Sequence, residues 1–138
     1  MVSKLFVDTS WFKAFSDPSD DFYKNATKQY KKINKEKINL ITTNYILDES
    51  YTLIRTKVGY QSSMDFREML VSLVGTLKLI RVIPLDEFKA WEWFIKDWSR
   101  LSFTDCTSFA VMKRVGLEDV ATFDQHFTKA GFKIFLKG

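Results

Sequence analysis

Lys4-Leu5-Phe6-Val7-Asp8-Thr9-Ser10 begins almost at the first residue. Apolar, β-prone residues run straight into an acid, and two hydroxyls follow. A short apolar run of this kind suits a strand buried on both faces, as at the centre of a parallel sheet. It predicts a strand ending at Asp8, with the carboxylate at the sheet's carboxyl edge, where open α/β folds bind ligands. Asp8 is then either a helix cap or the first member of a site.

Working outward, strand and helix signals alternate. Trp11–Phe15 reads as a short helix broken at Asp17-Pro18. A helix over about residues 21 to 36 follows, capped by Ser19, Asp20 or Asp21, with Phe22, Ala26, Tyr30 and Ile33 inward and a lysine-rich outer face. Residues 38 to 42 form a second apolar strand. Thr43 or Asn44 then caps a helix to about Val58, with Ile46, Leu47, Tyr51, Leu53 and Ile54 inward. A further helix carries the stripe Phe66, Met69, Leu70, Leu73, Val74 and Leu77. Residues 79 to 83 make a third strand, stopped by Pro84. The helix over 86 to 98 is expected to bury Phe88, Trp91, Phe94, Ile95 and Trp98, with Trp93 off that stripe. A helix over 103 to 115 ends at Gly116, and strands at 119 to 122 and 133 to 136 complete the series. The alternation predicts an α/β fold in three layers, α/β/α, around a parallel sheet, as one domain over residues 1–138.

The composition narrows the function classes. The chain has 138 residues, 46% of them hydrophobic, with 5 Gly and 2 Pro, so it can build a well-packed core. One cysteine cannot form an internal disulfide, which fits a reducing cytoplasm. The amino terminus runs directly into the first strand, leaving no room for a signal peptide, and no apolar run approaches a membrane span. A net charge of +4 leans towards a polyanionic partner.

The acids fall on one edge of this sheet. Asp8 ends the first strand, Asp124 follows the fourth, and Asp105 lies in the first turn of the helix before it. Glu49 lies one turn into the helix that starts after the second strand. Each has a structural explanation by itself: Asp8 and Asp124 as caps, Asp105 in a capping box with Ser102, Glu49 as a solvated helix residue. Brought together, the carboxylates repel unless a cation intervenes. A carboxylate cluster with no histidine or cysteine ligands points to Mg²⁺ or Mn²⁺, not Zn²⁺. Such ions activate water and neutralise a phosphodiester, which agrees with the basic surface.

Leu5-Phe6-Val7-Asp8-Thr9-Ser10, Thr42 to Glu49, Leu101-Ser102-Phe103-Thr104-Asp105 and Ala121-Thr122-Phe123-Asp124-Gln125-His126-Phe127 together resemble the PIN domain, and more narrowly the VapC-type toxins of prokaryotic toxin–antitoxin modules. The resemblance implies a five-stranded parallel sheet and a Mg²⁺- or Mn²⁺-dependent ribonuclease acting on RNA, leaving a 5′-phosphate and a 3′-hydroxyl. It also implies a homodimer and a cognate antitoxin. Its four acids fall on Asp8, Glu49, Asp105 and Asp124, with supporting hydroxyls at Thr9 and Thr104. The choice of Glu49 over Asp48 rests mostly on it.

Other features have plainer explanations. His126, the only histidine, is expected to be a partly exposed helix residue, and Cys106 a small packed hydrophobe. Trp93 is a candidate dimer or antitoxin contact, and Arg55, Arg81 and Arg100 are candidate RNA contacts. The rival to a nuclease is a module that binds RNA or protein without cutting. A receiver domain also clusters acids at strand ends, but needs a lysine where this chain has Ala121-Thr122-Phe123-Asp124.

Overall fold

A computed structural model describes residues 1–136; the last two residues of the expected 1–138 domain lie outside the described residues. Five strands form one parallel sheet: β1 (Lys4–Val7), β2 (Asn39–Thr43), β3 (Leu77–Ile80), β4 (Asp119–Ala121) and β5 (Lys133–Ile134), in the order β3-β2-β1-β4-β5. β1 is central, and Leu5, Phe6 and Val7 are fully buried.

The described residues form seven helices: α1 (Thr9–Ser16), α2 (Tyr23–Lys35), α3 (Asn44–Lys57), α4 (Tyr60–Ser72), α5 (Pro84–Phe94), α6 (Phe103–Val115) and α7 (His126–Lys129). They fall into two contact groups. α1 touches α2, α3 and α4, and α6 touches α5 and α7, with α3 also meeting α6 to join the two groups. Trp11, Phe12 and Phe66 fill the first group, and Phe109, Phe127 and Phe132 the second.

The third strand starts and ends earlier than expected. α4 stops at Ser72, and Leu77, expected on its stripe, begins β3. Val74, on the same stripe, is exposed. Arg81, Val82 and Ile83 leave the sheet because Thr43, the last residue of β2, pairs with Ile80, and Asn44 then opens α3. Asn44 Oδ1 accepts the Val82 N–H at 2.8 Å in place of a strand partner. Tyr51 and Phe22, expected inward, are exposed; Phe22 sits at the start of α2 and stacks on Phe123.

The largest difference is the rotation of α5. The expected inner residues Phe88 and Ile95 are 75% and 79% exposed, with Trp91 exposed beside them, while Trp93 is only 8% exposed and packs on Phe109. A polar residue sets this rotation. Asp86 is buried, takes two hydrogen bonds from Arg114 of α6 at 2.8 and 2.9 Å, and accepts the Ile83 N–H at 3.0 Å. Holding Asp86 against α6 turns Ala90 and Trp93 inward and the heavier apolar stripe outward. Removing one partner of a buried ion pair leaves an unpaired charge. Arg114→Met is expected to lower unfolding free energy by about 2–4 kcal/mol in urea titrations, against little change for the exposed neighbour Lys113→Met.

Candidate metal centre

The site begins where β1 and β4 end side by side. The Asp8 N–H still pairs with the Ala121 carbonyl at 3.1 Å, and the chain then turns into α1. Asp8 Oδ2 accepts from Ser10 N at 3.3 Å, so the acid does cap α1. The same oxygen takes the hydroxyls of Ser10 and Thr122, both at 2.8 Å. Those hydroxyls lie 3.0 Å apart and tie in the next turn: Phe123 N–H donates to Ser10 Oγ and Asp124 N–H to Thr122 Oγ1, each at 3.0 Å.

Asp105 arrives from α6. Ser102 and Asp105 form the capping box, with Asp105 N–H on Ser102 Oγ at 3.0 Å and Ser102 N–H on Asp105 Oδ2 at 3.2 Å. Asp124 Oδ1 accepts the His126 N–H at 2.9 Å. Asp8, Asp105 and Asp124 therefore each use one oxygen for the protein, and among the described residues the other oxygen accepts no hydrogen bond. No lysine or arginine of the described residues pairs with any of the three.

Electrostatics follow from burial without a lysine or arginine counter-charge. Burial, with the Asp124 charge added, raises the Asp8 carboxyl from 3.8 to about 6, against the bonds from Thr122 and Ser10 that lower it. Burial and the charges of Asp8 and Asp124 raise Asp105 to about 7.

Glu49 stands apart from this group. It lines a groove of about 550 Å³ with Tyr45, Asp48, Thr52 and Thr104. Thr104 thus joins Glu49's groove wall, and its carbonyl takes the Thr107 and Ser108 hydroxyls. Thr9 Oγ1 is buried and makes no hydrogen bond; the hydroxyls on Asp8 are those of Ser10 and Thr122. Thr122 escaped the sequence reading because a strand-end threonine has no periodic signature.

His126 is the partly exposed helix residue expected, at the start of α7. Its side chain is only 13% exposed, it stacks on Trp98, and its Nδ1 lies 3.0 Å from Asp124 Oδ1 and 3.5 Å from Asp105 Oδ2. Asp105, Asp124 and His126 offer ligand atoms within 4.8 Å of one another. Unpaired carboxylate oxygens, charges lacking a counter-ion and an orphaned ring nitrogen fit a divalent cation.

The PIN domain model matches residues 5–133. The chain belongs to the PIN-domain family. It is 32% identical over 129 residues to the 23S rRNA-specific endonuclease VapC20 of Mycobacterium tuberculosis, covering 93% of this chain and 95% of that one. The crystal structure of that PIN-domain protein, described as a Sarcin-Ricin loop cleaving toxin, superposes with a TM-score of 0.78 at 31% identity over 93% of this chain and 95% of that chain. FitAcB from Neisseria gonorrhoeae, at 14% identity and TM-score 0.65 over 95% of this chain and 96% of that chain, shares the fold.

The raised acids make stability depend on pH. Both bind a proton more tightly folded than unfolded, so between about pH 4 and 7 the folded state holds the extra protons and stability falls as pH rises. In chelator, wild type is expected to lose stability from pH 5 to pH 8. Asp105→Asn is expected to flatten that slope and to exceed wild type at pH 8 by about 1–3 kcal/mol in urea unfolding. Parallel profiles for the two proteins would contradict this electrostatic account.

Proposed function

We propose that this protein, as a single domain over residues 1–138, is a metal-dependent endoribonuclease and the toxin of a toxin–antitoxin pair, working in the cytoplasm. The main support is the set of three carboxylates, Asp8 and Asp105 buried and Asp124 half-buried, each with one oxygen tied and one free, with Asp105 next in sequence to Thr104 of an open groove. A module that only bound RNA would have no use for acids buried without counter-charges. The similarity to a 23S rRNA-specific endonuclease makes structured RNA the first substrate class to test.

Asp8, Asp105 and Asp124 would hold Mg²⁺ or Mn²⁺. When bound, the ion neutralises charge on the phosphodiester and favours delivery of water to phosphorus. Ser10 and Thr122 lock the Asp8 carboxylate in one orientation, so its free oxygen is preorganised. Glu49, across the groove with Thr104, orients the attacking water. Hydrolysis forms a bond from the water oxygen to phosphorus and breaks the bond to the 3′-oxygen. That oxygen takes a proton, giving a 5′-phosphate and a 3′-hydroxyl. Asp8→Asn is expected to reduce cleavage of ribosomal RNA in Mg²⁺ or Mn²⁺ at least about a hundredfold while the protein stays folded. Undiminished cleavage by the purified variant would refute this reading.

The partner reading rests on α5. Leu85, Phe88, Trp91 and Ile95 recur every three or four residues and form one exposed apolar stripe. Trp91 joins Phe94 and Phe103 at the start of α6, so the stripe reaches the helix that carries Asp105. A stripe of this kind suits isologous pairing with a second copy. It replaces Trp93, which is buried, as the candidate contact. In light scattering, wild type is expected at twice the monomer mass and the Phe88→Lys, Ile95→Lys double variant at the monomer mass. A monomeric wild type would refute self-pairing and leave the stripe for an antitoxin.

A further inference from the structure

His126 carries a function beyond the acids of the family. Its Nε2 lies 2.8 Å from the Ser99 carbonyl oxygen, which fixes the ring proton on Nε2 in the neutral imidazole. Nδ1 then presents a lone pair. It is buried, makes no hydrogen bond, and faces Asp124 Oδ1 at 3.0 Å and Asp105 Oδ2 at 3.5 Å, oxygens that each accept one backbone N–H and keep a second lone pair. Three atoms that can each donate a lone pair converge here, as the ligands of a cation do. Adjacent ligands of an octahedral ion at about 2.1 Å lie about 3 Å apart, close to the separations here. A histidine that donates its outer N–H to a carbonyl and turns the other nitrogen inward is also how proteins orient a ligating imidazole.

The ring is held in this position from outside. It stacks on Trp98 with the planes 10° apart, and the Lys129 ammonium lies over the other ring of this group, 5.5 Å from the Trp98 centroid. Its backbone N–H is committed to Asp124 Oδ1, so ring and carboxylate are positioned as one unit.

We propose that His126 Nδ1 is a direct ligand of the metal, alongside Asp105 and Asp124, and that this nitrogen donor biases the site towards divalent transition ions over Mg²⁺. The proposal rests on the reading of the cluster as a metal centre. Mg²⁺ prefers an all-oxygen shell, whereas imidazole suits the transition ions. The site would therefore be selective in a way that its acids alone do not specify.

The test uses the full chain with Mn²⁺ as the probe. Pulsed electron paramagnetic resonance of the Mn²⁺-loaded wild type is expected to show ¹⁴N modulation from a coordinated imidazole. His126→Phe, which keeps the stack on Trp98, and His126→Gln are both expected to lose it. Titration calorimetry is expected to show Mn²⁺ affinity falling about 10–100-fold in both variants, with a much smaller change for Mg²⁺. Bound Mn²⁺ without ¹⁴N modulation in wild type overturns the proposal and leaves the metal centre standing, whatever the variants do. No Mn²⁺ binding at millimolar concentration overturns both this proposal and the nuclease reading.

Discussion

Buried negative charge without a counter-ion is the constraint on which the rest of the site depends. Asp8 and Asp105 are raised to about 6 and about 7 because burial and mutual repulsion disfavour their charged forms. The fold retains the arrangement by tying one oxygen of each of the three aspartates to the protein and leaving the other without a hydrogen bond among the described residues. Asp8 has Ser10 and Thr122 on Oδ2, Asp105 has Ser102, and Asp124 has the His126 N–H. Folding stability is spent at these positions, and a cation that binds the native state restores it.

The sheet order makes this convergence possible. β1 and β4 are neighbours, so Asp8 and Thr122 meet although 114 residues separate them. The capping interactions position the acids and do not compete with the site. Asp8 caps α1, and Asp105 closes the box with Ser102, each through a single oxygen. The structural and functional explanations of these residues, alternatives when each is taken alone, hold together in one carboxylate.

Much of this was legible in the sequence because it rests on local patterns. The apolar run into Asp8, the Ser102-to-Asp105 box and the alternation of elements each announce themselves within a few residues. What was hidden depends on tertiary partners. α5 shows its heavier apolar stripe outward because Asp86 is bound to Arg114 across 28 residues, which no helical period reveals. β3 ends where its neighbour turns into α3, not where its own apolar run stops. His126 reads as a partly exposed helix residue and is one, but its contacts with Ser99 and Trp98 have no sequence signal.

The central claim is that the three half-free carboxylates form a cation site. A crystal grown with Mn²⁺ and measured at a wavelength that makes manganese scatter anomalously tests it most directly. The expected result is an anomalous peak about 2.0–2.3 Å from carboxylate oxygens of Asp8, Asp105 or Asp124. A well-ordered cluster at millimolar Mn²⁺ with no such peak, or a peak elsewhere on the molecule only, would contradict it.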